Sequence, residues 1–137
     1  MKSALLVSLL FLTPLFLKAE EKLLQSLADL QWKNRIILIQ STKDTISQQQ
    51  LTTAETAIKD RDIVWFLLEN DKLKTNYIGN VADTISNEVH SKLMTNDTSV
   101  ILIGKDGGIK TLQSQLDLSE LFSDIDVMPM RQREMQK

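Results

Sequence analysis

Three compact apolar runs interrupt an otherwise mixed chain: RIILIQ at residues 35–40, IVWFLL at 63–68 and SVILI at 99–103. Runs of this length, rich in isoleucine and valine, fit strands buried on both faces, as the central strands of parallel sheets are. Between the first two, residues 45–59 place Leu51, Ala54, Ala57 and Ile58 on one helical face. The pattern predicts a helix with Asp44 or Thr45 as its cap. Strand, helix and strand in this order predict a parallel pair joined by a right-handed crossover. Asp60, Arg61 and Asp62 form a charged joint that ends the helix and ties it to the next strand by local pairing. A charged functional site is the alternative reading of the same three residues.

Residues 69–82 are polar and read as irregular. A second helix is predicted over 84–94, where Ile85, Val89 and Leu93 share a face. GKDGG at 104–108 reads as a hairpin turn, because Asp-Gly-Gly suits a positive φ. Residues 109–113 return as a fourth strand. Asp117 then caps a helix carrying Leu118, Leu121, Phe122 and Ile125 at i, i+3, i+4 and i+7. Ahead of the first strand, Leu23, Leu24, Leu27 and Leu30 suggest a short leading helix or an ordered arm over 21–30. The expected fold is α/β and thioredoxin-like: a mixed four-stranded sheet in the order β-α-β-α-β-β-α, with helices on both faces.

The first nineteen residues read differently. Lys2 is followed by an apolar stretch from 4 to 17, then Lys18 and Ala19, then Glu20 and Glu21. A charged start, a short apolar run and a small residue before a polar stretch make a secretory signal peptide, expected to be cleaved after Ala19. The run contains Pro14 and is shorter than the roughly 20 apolar residues of a spanning helix. An uncleaved anchor is the alternative. The expected domain is then 20–137, periplasmic or extracellular. Lys2 and Lys18 leave with the leader, which takes sixteen basic residues to fourteen against eighteen acidic ones. A net negative domain gives no support to nucleic-acid binding, which wants a basic surface, nor to membrane attachment of the mature chain.

Cysteine is absent from the chain. That removes a thiol nucleophile, a redox pair and a zinc thiolate together. The single histidine, His90, falls within the second predicted helix and reads as an ordinary helical residue; a triad with Ser41 or Ser99 is the alternative. One histidine and scattered carboxylates match no metal-ligand spacing, and no cofactor is expected. KDGG could cradle an anion through backbone N–H groups, but a hairpin turn is the preferred account. Asn96-Asp97-Thr98 has the form of a glycosylation acceptor, relevant only in a host that glycosylates secreted proteins.

Four blocks together carry a resemblance. They are LQWKNRIILI at 30–39, DRDIVWFLLE at 60–69, VILIGKDGGIK at 100–110 and IDVMPMRQREM at 125–135. In this order they resemble the family called domain of unknown function 4174, the last block being the most specific. That family is similar to peroxiredoxin-like domains of some extracellular animal proteins. The resemblance implies a thioredoxin-like fold and no established activity. Peroxiredoxins place a reactive cysteine just after the first strand; here Ser41 and Thr42 stand in that region. A hydroxyl is a far weaker nucleophile at neutral pH and has no comparable redox cycle.

The closing block raises a question of its own. Pro129 disfavours helical geometry at Met128, so the chain should turn there. Met128 and Met130 can fill an uneven apolar gap, while Arg131 and Arg133 offer forks for carboxylates, with Asp124, Asp126 and Glu134 nearby in sequence. Either the tail folds back and pins the last helix, or the arginines meet an acidic ligand or partner. The candidate binding residues are Ser41, Thr42, Arg131 and Arg133, with the tail expected to border the Ser41 region. The expected function is a binding or interaction module for an unknown protein or small acidic ligand, with homodimerisation possible through a strand edge. A hydroxyl- or carboxylate-based enzyme is the alternative.

Overall fold

A computed structural model describes residues 23–41 and 45–137. The leader, its cleavage site, Thr42 and the Asp44 cap lie outside those residues. A 3-10 turn at Leu27–Leu30 leads into β1 (Arg35–Ser41), α1 (Thr45–Thr53), α2 (Glu55–Asp60) and β2 (Ile63–Glu69). β3 (Lys72–Thr75), α3 (Thr84–Thr95), β4 (Val100–Ile103), β5 (Ile109–Gln113), α4 (Leu118–Asp126) and α5 (Pro129–Met135) follow.

The strands form one five-stranded sheet in the order β3-β2-β1-β4-β5. β1 and β2 are parallel, running from Arg35 opposite Ile63 to Ser41 opposite Glu69. The other three pairings are antiparallel. The sheet is thus mixed, as expected, with five strands rather than four. The extra strand is β3, in the stretch read as irregular. Asn70 and Asp71 both take positive φ, 48° and 64°, between the paired residues Glu69 and Lys72. That is the backbone of a two-residue hairpin turn, which Asn and Asp tolerate better than other non-glycine residues. Where β3 ends, the Asn76 side chain continues its role: Oδ1 accepts from the Trp65 N–H and Nδ2 donates to the Ile63 carbonyl.

Strand alternation sends apolar side chains to both faces of the sheet. Ile36, Leu38, Val64, Phe66, Leu68 and Ile101 pack against Ile85, Val89 and Leu93 of α3, with Leu24, Leu27 and Leu30 closing the layer. Ile37, Ile39, Ile63, Trp65, Leu67 and Leu102 pack against Leu51 and Ile58 of α1 and α2 and Leu121 and Ile125 of α4. In the leading segment, expected as a short helix or an ordered arm, the helical part is a 3-10 turn at Leu27–Leu30. Leu24 instead pairs with Val81 in an isolated parallel bridge.

Two further expectations change. The chain does turn at Met128, whose ψ of 140° is extended, but Pro129 then opens α5. Proline is preorganised for the first position of a helix and has no N–H to strand there. The Asp60–Asp62 joint pairs locally only through Arg61, whose Nη1 donates to the Ala57 carbonyl; its three side chains also reach α4, α5 and the β4–β5 turn. Among the described residues, no helix is long and apolar enough to cross a membrane. Phe66 is fully buried at the centre of the sheet. Phe66→Ala should cost about 3–5 kcal/mol, read as a lower midpoint in denaturant unfolding.

Candidate functional site

The two ends of the β1–β2 pair differ in character. In open α/β sheets, ligands sit beyond the carboxyl ends of the strands. Here that end carries Ser41, which is 8% exposed. Ser41 borders a cleft of ≈ 400 Å³ together with Gln40, Ser47, Gln50, Ser99, Ser114 and Gln115. A larger cleft of ≈ 970 Å³ shares Ile46, Gln50 and residues 114–116 with it and extends between α1, β5 and the start of α4. Gln49, Thr53, Leu112, Gln113, Asp117, Leu118 and Glu120 complete its walls.

Amides and hydroxyls supply most of the polar groups on these walls, beside Ile46, Leu112, Leu116 and Leu118. They donate and accept hydrogen bonds without titrating. The two carboxylates are engaged in holding α4. Asp117 caps the helix by accepting from the Glu120 N–H at 3.1 Å, and Glu120 accepts from Gln113 Nε2 at 3.2 Å. Gln113 also donates to the Asp117 carbonyl and accepts from the Asp117 N–H, so it clasps the start of α4 to the end of β5. The arrangement suits recognition of hydrogen-bonding groups. His90 is exposed on α3 and borders neither cleft. Among the described residues, no group of three His, Asp or Glu is placed to hold a metal. Asn96 caps α3 and donates Nδ2 to the Lys92 carbonyl at 2.8 Å, a bond that a glycan on that nitrogen would disturb.

The opposite end of the sheet is a cluster of charges. Arg35, at the start of β1, is 1% exposed and donates Nη1 and Nη2 to the two oxygens of Glu134 on α5. A second bond from Nη1 reaches the Arg61 carbonyl. Lys105 in the β4–β5 turn adds 2.5 Å and 2.9 Å contacts to Glu134 and Asp62. Arg61 forks onto Asp126 at 3.0 and 2.8 Å and lies 4.5 Å from the centre of the Phe122 ring. Arg131 reaches Asp126 through Nε, and the Asp60 carbonyl and carboxylate through its two terminal nitrogens. α5 is therefore sewn to β1, to the α2–β2 joint and to the β4–β5 turn.

The electrostatics follow from the partners. Hydrogen bonds from Arg61, and then from Arg131, outweigh burial and hold the Asp126 carboxyl below its usual range. Burial pushes Glu134 up, but bonds from Lys105 and Arg35 more than offset it, so its pKa is lowered as well. Burial likewise opposes the charge on Arg131, and the carboxylates of Asp60 and Asp126 prevail to raise its pKa.

The structure separates the sequence-predicted candidates. Ser41 lies at the cleft and Thr42 lies outside the described residues. Arg131 is buried at the other end of β1, where Arg35 stands six residues before Ser41, about 20 Å along the strand. The expectation that the tail borders the Ser41 region is therefore overturned. The Asp60 and Asp126 groups that Arg131 must meet lie where β1 and β2 begin. Arg133 is exposed on α5. Of the two uses weighed for the tail, the geometry gives Arg131 the pinning one. Arg35 and Lys105 were not singled out from sequence. The available signal was a charged residue at the mouth of an apolar run, opposite an acidic residue in the tail.

Arg131→Ala strips partners from two carboxylates that are themselves partly solvated, so about 1–3 kcal/mol should be lost, several degrees of Tm. Arg133→Ala should stay within about 0.5 kcal/mol. Thermal melts of the two single variants check this. Asp126 and Glu134 hold their protons less tightly when folded than when unfolded. Their contribution is complete above the ordinary carboxylate range, about pH 4–4.5, and is lost as pH falls through the lower folded values. Unfolding free energy measured against pH should decline on that acid limb, and Glu134→Gln should make the decline shallower.

No curated protein and no solved structure matches the chain. The family model described as "Domain of unknown function (DUF4174)" matches residues 26–134, which takes in both clefts' walls and the whole charged cluster. The chain belongs to the domain of unknown function 4174 family.

Proposed function

We propose that this is an exported, non-redox binding module of thioredoxin-like architecture, and that it takes an extended polypeptide segment along the open edge of β5. The contrast between the two sheet edges carries the reading. An edge strand offers unpaired backbone N–H and C=O groups, and proteins commonly guard it with lysine. β3 is short and carries Lys72 and Lys74. β5 carries one lysine, Lys110, which is paired with Asp106, and exposes Ile109 and Leu112; Leu112 forms part of the amide-lined cleft beside exposed Ile46. Main-chain pairing would supply affinity and the cleft would read the side chains of the guest, as in strand addition elsewhere.

The remaining parts of the reading rest on separate supports. The order β2-β1-β4-β5, with one parallel pair and two antiparallel ones, supports a thioredoxin-like core to which β3 adds an edge. The lack of cysteine supports a role outside thiol chemistry. The apolar leader supports export. Hydroxyl catalysis at Ser41 finds less support, because His90 borders neither cleft.

The test is selection of peptides from a random library on the purified protein, followed by amide hydrogen exchange. Bound peptide should slow exchange along β5, and Leu112→Lys should weaken binding at least tenfold with Tm unchanged. Protection confined to β3 or α3 would overturn the reading. Protection of β5 that grows with protein concentration in the absence of peptide would assign the edge to a second copy of the chain instead.

A further inference from the structure

At the charged end, a pocket of ≈ 250 Å³ lies between the β4–β5 turn and the start of α5. Arg35, Lys105, Lys110, Asp106, Met128 and Met130 line it. Three cations line it beside the Asp106 carboxylate, which Lys110 holds at 2.8 Å, while Arg35 and Lys105 also meet Glu134 and Lys105 meets Asp62. The two methionines give the pocket a flexible, polarizable apolar wall. Its volume falls below the roughly 300–1,000 Å³ of sites for drug-sized ligands, so a guest must be small.

Arg35 supplies the second observation. A guanidinium has five N–H donors in a fixed fork. Three of those of Arg35 are used: two on the end-on edge for Glu134 and one for the Arg61 carbonyl. Its Nε is buried and has no hydrogen-bond partner. The Nε–H and the remaining Nη2–H lie parallel on the side-on edge, which is the spacing of a carboxylate's two oxygens. Buried donors in native proteins are nearly always satisfied, so an orphaned one points to a missing acceptor.

We infer that the pocket binds a small monocarboxylate with a short apolar body, its oxygens received by the side-on edge of Arg35 and its body lying against Met128 and Met130. Carboxylate recognition by Arg35 gives the Met-Pro-Met segment a use beyond turning the chain. The site lies at the far end of the sheet from the proposed β5 edge and does not depend on it.

Hexanoate is the probe, with acetate and 1-hexanol as controls lacking the body and the charge. Methionine-methyl NMR of the purified protein should show saturable shifts at Met128 and Met130 and slowed exchange of the Arg35 Nε–H. Acetate and hexanol should bind at least tenfold more weakly. Met130→Trp fills the pocket from its wall and should abolish the hexanoate shift at Met128. Arg35→Lys keeps a charge but loses the fork, and should weaken binding at least tenfold; if that variant does not fold, the Met130→Trp comparison decides. No saturable shift, equal response to hexanol, or unaltered binding by Met130→Trp would overturn the inference.

Discussion

Arg35 occupies the first position of the central strand and has almost no contact with water. A charge in that position is tolerated only with a partner of opposite sign and well-aligned hydrogen bonds, since removal from water costs several kcal/mol even after relaxation. Glu134 provides both through its two oxygens. The same carboxylate receives Lys105, which in turn holds Asp62. The location of α5, the course of the β4–β5 turn and the left-handed joint at Asp62, with φ of 51°, are thus coupled to one buried guanidinium. Around it, Arg61 and Arg131 share Asp126, which joins α4 to the same knot.

This constraint divides the molecule into two ends with different duties. Where β1 and β2 begin, nearly every charged side chain is committed to another, and the geometry is overdetermined. Where they finish, glutamine, serine and threonine share the walls with Ile46, Leu112, Leu116 and Leu118, and Asp117 and Glu120 are taken up in holding α4. Gln113 marks the boundary, because its amide is fully spent on the start of α4 while its neighbours Ser114 and Gln115 stay exposed.

The elements with a strong apolar period were legible in the sequence. RIILIQ, IVWFLL and SVILI became β1, β2 and β4 because full burial on both faces leaves little freedom in composition. Asp117 capped α4 as its side-chain chemistry requires. β3 escaped notice because KLKT is half-solvated and its turn uses Asn-Asp rather than the glycine-containing pairs that announce a hairpin. α5 escaped because Met-Pro-Met lacks a helical period, although proline at a first helical position was a usable signal. The charged knot was only half visible. Asp126 and Glu134 stand close to Arg131 in sequence and could be named as partners. Arg35 is 99 residues from Glu134, and no local rule spans that distance.

That same separation bears on how the chain acquires its structure in time. Domains are made from the amino terminus onward, and contacts distant in sequence are slow to form. β1, β2 and the helices between them can assemble early, yet until residue 134 has been synthesised the guanidinium at the start of β1 has no carboxylate to meet. A nascent chain of this protein therefore carries an unpaired charge within its forming core. α5, translated long after β1, acts as the latch on the first strand, and chains not yet extended through residue 134 remain unlatched.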